Sequence, residues 1–244
     1  MAHFYLNEQL TDAAVGSTVS ILGAEARHAV VVSRIRVGET LSIGNGSGLV
    51  VTGPVLEAAA DRLAIRAQEV RRVPAPAPTL TLVQALAKGG RDELAIQAAT
   101  ELGVDTVIPW AAQRSIVRWQ GAKADKGRER WASIVREATK QSLRPWIPAV
   151  ADQLTTTELA RQAEATRMLV LAPGAQLNLT AVAAEQDARD LVLVVGPEGG
   201  IAPEELDTLT RAGARAVRLG DAVLRTSTAG PAAIAALNGV LGRW

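Results

Sequence analysis

The sequence predicts an α/β protein in two parts, a small β-rich N-terminal domain and a larger C-terminal domain built on a parallel sheet. Three observations predict it. Residues 73–79 read VPAPAPT, and prolines at alternate positions hold a backbone extended as a stiff connector. Before that stretch, short β-leaning segments are separated by Gly, Asn and Asp turn signals. After it, continuous aliphatic runs alternate with helical patterns, as in a parallel sheet covered on both faces. The expected division is therefore a β-barrel domain over 1–73, a linker over 74–79 and an α/β domain over 80–244.

In the first part, 18–22, 40–44, 49–53 and 63–70 read as strands, and AEARHAVVVSRIR reads as a short helix and turn. In the second, LTLVQAL (80–86), VDTVIPW (104–110), MLVLA (168–172), LVLVV (191–195) and RAVRL (215–219) read as strands. RDELAIQAATELG places Leu94, Ala95, Ala98 and Leu102 on one helical stripe and stops at Gly103. DKGRERWASIVREATKQS does the same with Trp131, Ile134, Val135 and Ala138. PEELDTLTRAG opens with Pro203 and two acids, carries Arg211 near its end and closes on Gly213, the polarity a helix dipole favours. The last helix, 228–241, is alanine-rich along nearly its whole length. Such a helix needs cover on every side.

Composition narrows the function classes. The 244 residues contain no cysteine, which excludes disulfides, thiolate zinc sites and a cysteine nucleophile, and fits a reducing cytoplasm. No metal is expected. Aromatics are 3% of the chain, so the core must be Ala, Val, Leu and Ile. The start, MAHFYLNEQL, lacks the basic and apolar regions of a secretory signal. No apolar run reaches the roughly 20 residues that span a bilayer. The expectation is a cytoplasmic protein with no membrane partner. Net charge is +1 but uneven: Lys and Arg stand 7 against 7 acids over 1–73, 11 against 7 over 74–150 and 8 against 11 over 151–244. A basic middle permits a polyanion surface without requiring one.

Glycine-rich loops carry the functional signal. LVVGPEGGIAPEE (193–205) places Gly196, Pro197, Glu198, Gly199 and Gly200 after a strand, where open α/β sheets bind ligands. Neither GxGxxG nor GxxxxGK[ST] occurs, so a dinucleotide fingerprint and a P-loop are unsupported. A glycine turn that merely lets Pro203 start its helix explains this loop equally well. LGDAVLRTSTAGPAA (219–233) again joins a strand to a helix, with an arginine, three hydroxyls and two glycines. LAPGA (171–175) is a third small Pro/Gly loop. Three permissive loops at consecutive strand ends favour one pocket lined by backbone.

GPEGG, then PEE, then LG, LRT, TA and an alanine-rich helix resemble the C-terminal signature of the SPOUT class of methyltransferases. More narrowly, the chain resembles the 16S ribosomal RNA (uracil-1498-N3)-methyltransferase family. HAVVVSRIRVGE is similar to that family's N-terminal His/Arg stretch and GNGSG to the turn after it. KGGRDELAIQAATELGVDTVIPWAAQRS is similar to its central segment. The likeness thus runs along essentially the whole chain.

That resemblance implies a SPOUT-like deep trefoil knot threading 171–175, 196–200 and 219–228, preceded by a PUA-like RNA-binding barrel. Topology rules alone argue against a knot. It also implies S-adenosyl-L-methionine as cofactor, a homodimer, and 16S ribosomal RNA as partner, free or within the small ribosomal subunit. The cofactor residues it implies are Leu171, Ala172, Gly196, Pro197, Glu198, Gly199, Gly200, Leu219, Gly220, Leu224, Thr226, Thr228 and Ala229. Thr226, Ser227 and Thr228 can equally cap the last helix.

Two residues are catalytic candidates. Methylation at uracil N3 develops an anion on O2 and O4, which the Arg225 guanidinium can stabilise, unless it holds a phosphate instead. Glu198 can sit near a sulfonium cation or reach the amides of the following helix turn. Where the family often carries an acid this chain has Ser227, and where relatives commonly carry a basic residue it has Val31 and Ala98. The expected RNA contacts are Arg27, His28, Arg34, Arg36, Lys88, Arg91 and Arg114. Trp119, Trp131 and Trp146 can stack bases, with Trp131 better placed for the core. Small side chains on the last helix suit a two-fold contact, with Ile234, Leu237 and Leu241 near it. Two other readings remain: a 2′-O-ribose methyltransferase of the same knotted class, and an RNA-binding protein without catalysis. The barrel-first order and the matched central segment favour N3 of uridine.

Overall fold

The computed structural model describes residues 3–244. It divides into two compact units. The N-terminal unit runs to Ala75 and takes in Thr139–Ile147; the C-terminal unit comprises Pro76–Ala138 and Pro148–Trp244.

The N-terminal unit contains β1 (Phe4–Leu6), β2 (Thr18–Leu22), α1 (Gly23–Arg27) continuing into a π-helical turn (His28–Val32), β3 (Thr40–Gly44), β4 (Leu49–Ala59), β5 (Arg62–Arg66) and β6 (Glu69–Arg72). Their order is β1-β3-β4-β5-β2, with β6 also on β4. β4 is long because it serves two partners. Its first half pairs β3 and β6, its second half pairs β5, and a bulge between Val55 and Glu57 turns one register into the other. The single strand expected over 63–70 is accordingly two, split where the chain leaves one half of β4 for the other. Among the described residues no pairing joins β2 to β1 or β6, so the strands do not form the closed barrel that the turn-rich pattern suggested. Alternation places Val19, Ile21, Leu41, Ile43, Val51, Leu63 and Ile65 on one face as the core.

Thr139–Ile147 lies inside the stretch that the sequence assigns to the C-terminal domain, yet it is tied to the N-terminal strands. Gly48 N donates to Pro145 O at 2.9 Å, Ile147 N to Gly46 O at 2.9 Å, and Trp146 Nε1 to Val73 O at 3.0 Å. Lys140 and Glu25 form a buried ion pair at 3.1 Å.

The C-terminal unit alternates strand and helix: β7 (Leu80–Ala85), α2 (Arg91–Glu101), β8 (Thr106–Trp110), α3 (Ala122–Gln141), β9 (Ala149–Val150), α4 (Thr156–Ala163), β10 (Arg167–Leu171), β11 (Leu177–Asn178), α5 (Leu179–Ala183), β12 (Leu191–Val195), α6 (Pro203–Arg211), β13 (Arg215–Arg218) and α7 (Thr226–Val240). The seven strands form one sheet, β11-β13-β10-β12-β7-β8-β9, in which every pair is parallel. The fold is thus mixed α/β with a parallel sheet. The continuous runs LVLVV and LTLVQA are buried at almost every position, as two covered faces require.

Two helix faces differ from the apolar stripes of the sequence. In α2 the buried residues are Asp92, Ala95, Ile96, Ala99 and Thr100, while Leu94 is 58% exposed. The cause is α7, which packs on α2 and takes the small face: Asn238 Nδ2 donates to Leu102 O at 2.6 Å. In α7, Ile234 and Leu237 are fully buried within the chain. They cannot lie at a subunit contact as the alanine-rich pattern suggested, because α2 and the sheet already cover them.

Candidate functional site

β13, β10 and β12 are three successive neighbours in the sheet. Being parallel, they deliver the loops after Leu171, Val195 and Arg218 to one edge. These loops and the first turn of α7 enclose a cavity of about 540 Å³. Its lining includes Leu171, Ala172, Gly196, Pro197, Glu198, Gly200, Leu219, Gly220, Leu224, Arg225, Thr226 and Ala229, together with Arg91 from α2. Aliphatic side chains, with Val195, Ile201, Leu206 and Val217 beside the leucines, form much of the wall, and the glycines and alanines leave backbone N–H and C=O groups open between them.

Local chemistry explains the shape of the 196–200 loop. Gly200 holds φ at +71°, a left-handed value that suits glycine, with Gly200 N donating to Pro197 O at 2.9 Å. A Cβ on Gly196 would lie 2.6 Å from Ile201 Cγ1, so the turn closes on itself only without a side chain there. Gly199 is different. It is outside the cavity lining and faces Arg114, whose Nη1 donates to Gly199 O at 3.1 Å. Thr228 is likewise outside the lining, in the first turn of α7 two residues after Thr226.

Glu198 is engaged on its Oε1, which accepts from Arg91 Nη1 at 2.8 Å and from Lys88 N at 3.2 Å. Partial burial raises its pKa, but its own backbone N–H, Arg91 and the Lys88 N–H outweigh this and leave it below the ordinary carboxylate value. Arg225 precedes α7 as its N-cap, and its carbonyl accepts from Thr228 N at 2.8 Å and Ala229 N at 2.9 Å. Its side chain is exposed at the cavity. The carboxylates that might have held it are paired elsewhere, Asp221 with Arg218 at 3.1 Å and Glu198 with Arg91. Among the described residues no carboxylate holds the Arg225 guanidinium, which borders a cavity walled by aliphatic side chains and backbone.

Several contributors escaped the sequence reading. Val223, 77% exposed, and Ala222 line the mouth beside Leu224. Apolar side chains in a loop between a strand and a helix were the available signal. Glu205, the second acid of PEE, looked like a dipole partner. It is buried, and its Oε1 accepts from Thr156 Oγ1 at 2.6 Å and Gln113 N at 2.9 Å, tying α6 to α4 and to the loop bearing Arg114.

The basic residues fall into two groups. Arg27, His28, Arg34 and Arg36 are exposed in the N-terminal unit, with Arg34 at φ 57° where the chain leaves the π-helical turn. Lys88, Arg91 and Arg114 belong to the C-terminal unit, beside or on the 196–200 loop. The tryptophans are largely committed: Trp131 is buried, Trp119 stands edge-on to it at 5.3 Å, and Trp146 is bonded to Val73 O. No group of acidic and histidine residues suited to a metal occurs among the described residues, and no helix there is long and apolar enough to cross a membrane.

Known proteins match the chain along its length. Residues 74–238 match the family model described as an RNA methyltransferase domain. Ribosomal RNA small subunit methyltransferase E of Mycobacterium bovis is 46% identical over 236 residues, covering 94% of this chain and 89% of that protein. The Bacillus subtilis protein of the same name is 31% identical, covering 91% and 90%. Among solved structures, the Neisseria gonorrhoeae protein of that name, bound to S-adenosyl methionine, superposes with a TM-score of 0.86 at 29% identity and 98% coverage of both chains. The chain belongs to the RNA methyltransferase family and, within it, to the small-subunit ribosomal RNA methyltransferases E.

Proposed function

We propose that this protein methylates N3 of one uridine in small-subunit ribosomal RNA, using S-adenosylmethionine held in the cavity between the 171–175, 196–200 and 219–229 loops. One observation carries the reading: a cavity at three strand ends, walled by aliphatic side chains and glycine backbone, with a guanidinium at its edge, Arg225, that no carboxylate among the described residues holds. About 540 Å³ lies within the range of cofactor sites. The residues fit the cofactor's parts. Ala172, Gly196, Gly200 and Gly220 leave backbone groups open to the edge of an adenine, and Leu171, Leu219 and Leu224 offer apolar cover. When bound, S-adenosylmethionine supplies an electrophilic methyl group to a nitrogen lone pair. Arg225 stabilises the negative charge left on O2 and O4 as the N3 proton passes to water, and the anion is discharged when N3 takes the methyl group and S-adenosylhomocysteine leaves.

The finer organisation belongs to the same proposal. Residues 1–73 serve as a PUA-like RNA platform through Arg27, His28, Arg34 and Arg36, 74–79 as linker, and 80–244 as the catalytic domain, with Lys88, Arg91 and Arg114 guiding RNA to the cavity. Convergence of the three loops beneath α7 supports threading of the C-terminal segment as a trefoil knot. The half-exposed stripe Ala229, Ala232, Ala236 and Val240, at helical spacing along α7, supports a homodimer contact beside the cavity.

Nucleoside mass spectrometry of ribosomal RNA incubated with the protein and S-adenosylmethionine tests the reading. 3-Methyluridine at one site is expected. A 2′-O-methylated nucleoside, or no product from RNA and assembled small subunits alike, overturns it.

A further inference from the structure

Gln84 is the penultimate residue of β7, between β12 and β8, and has no exposed surface. Its Nε2 donates to Thr226 Oγ1 at 2.9 Å and to Ala85 O at 3.1 Å, and Thr226 Oγ1 donates to Gly196 O at 2.8 Å. Proton counting fixes the orientation of the amide. A threonine hydroxyl has one proton. With that proton given to Gly196 O, the hydroxyl must accept, so the nitrogen of Gln84 has to face it. The consequence is that Gln84 Oε1, buried, has no hydrogen-bond partner among the described residues, an arrangement that costs stability. A side chain chosen for the core alone would avoid that cost.

The two groups at the far end of this chain stand on different walls of the cavity. Gly196 opens the 196–200 loop, and Thr226 is the first residue of α7. We propose that Gln84 is a positioning residue that acts through Thr226. The chain Gln84–Thr226–Gly196 sets the spacing between the 196–200 loop and the first turn of α7, and so holds Arg225 and the loop backbone in place for the cofactor. The hydroxyl proton of Thr226 is spent on the loop, so Thr226 shapes the cavity rather than donating to the ligand. Successive hydrogen bonds in a buried site strengthen one another, which suits this one to hold a loop rich in glycine.

The inference rests on the methyl-transfer reading, and one set of measurements separates the two. Titration calorimetry with S-adenosylmethionine is run on the full chain and on Gln84→Met, Thr226→Val and Thr226→Ser, beside thermal unfolding and hydrogen exchange of the 196–201 amides. Met and Val keep the shape and remove the bonds; Ser keeps the hydroxyl. The Met and Val variants should bind about tenfold more weakly, the worth of roughly one buried hydrogen bond, with faster exchange at 196–201. Thr226→Ser should bind within about twofold of the unaltered protein, since its bonds persist. If the unaltered protein does not bind S-adenosylmethionine, the methyl-transfer reading fails. If it binds and the folded Gln84→Met variant matches it in affinity and exchange, the positioning role fails. Should Thr226→Val not fold, Gln84→Met and Thr226→Ser still decide the matter.

Discussion

Arg91 Nη1 donates to Glu198 Oε1 at 2.8 Å, a contact that joins the first turn of α2 to the loop following β12. The same oxygen accepts from Lys88 N. Between Lys88 and Arg91 stand Gly89 and Gly90, both left-handed at φ 65° and 70°, with open space where side chains would point. Glu198 therefore clasps a permissive segment against the cavity. A carboxylate held ionised in this way is a poor proton acceptor at neutral pH, and its chemistry is that of an anchor.

The clasp has a defined pH dependence. Because the folded-state pKa of Glu198 lies below its ordinary value of 4.5, its contribution is complete above that value and is lost as pH falls through the lower folded one. The stability difference between the unaltered protein and Glu198→Gln should be flat from about pH 8 to about pH 5 and shrink on further acidification. Urea unfolding across that range measures it. A difference that grows as pH falls would show that the carboxylate is not held by Arg91.

Gly199 and Gly200 should separate. Alanine at Gly200 must adopt φ +71° and should cost roughly 1–2 kcal/mol while loosening the cavity wall. Alanine at Gly199 meets Arg114, with its Cβ at 3.3 Å and its carbonyl oxygen at 3.6 Å, and needs that residue to give by a few tenths of an ångström. Chemical denaturation and cofactor calorimetry on both variants check this. Equal losses would mean that Gly199 takes part in the cavity after all.

On α7 the buried and half-exposed faces make opposite predictions. Ile234→Asp places a charge among residues with no exposed surface and should cost on the order of 4 kcal/mol or more. Ala232→Asp and Ala236→Asp should leave the chain folded and shift its sedimentation from dimer to monomer. A folded Ile234→Asp variant would contradict the packing of α7 on α2.

What the sequence reveals depends on how local the cause is. β12 and β7 are legible because two covered faces leave continuous aliphatic runs, and α6 because Pro203, two acids and Gly213 mark its ends. The sequence puts Leu94 on the apolar stripe of α2 and leaves Ile96 off it, because neighbours decide which stripe is buried and α7 arrives from more than a hundred residues away. The same long reach hides Gln84. Nothing in LTLVQAL says that its one amide meets a threonine 142 positions later. The cavity loops were legible as a set, since Gly and Pro at three strand ends have a backbone meaning. Which glycines face the ligand space was not, because that turns on where Arg114 lies.

Arg225 yields the sharpest test of the chemistry. Its carbonyl starts the hydrogen bonds of α7 while its side chain stands at the edge of the cavity, with the neighbouring carboxylates engaged by Arg218 and Arg91. Its removal should leave cofactor binding nearly unchanged, because aliphatic side chains and backbone form most of the cavity wall. If the guanidinium meets the developing negative charge on O2 or O4, it matters more in the transition state than in the bound ground state. Arg225→Ala should then lower kcat by about a hundredfold to a thousandfold, with KM for RNA little altered. Arg225→Lys keeps the charge but loses the planar pair of donors, and should recover only part of the rate. If Arg225 instead grips a phosphate of the target nucleotide, the Ala variant should raise KM for RNA and leave kcat intact, and salt dependence should fall by about one counterion. Single-turnover rates at saturating RNA, measured beside the full concentration dependence, distinguish these outcomes. Unchanged kcat at saturation would remove Arg225 from the chemical step.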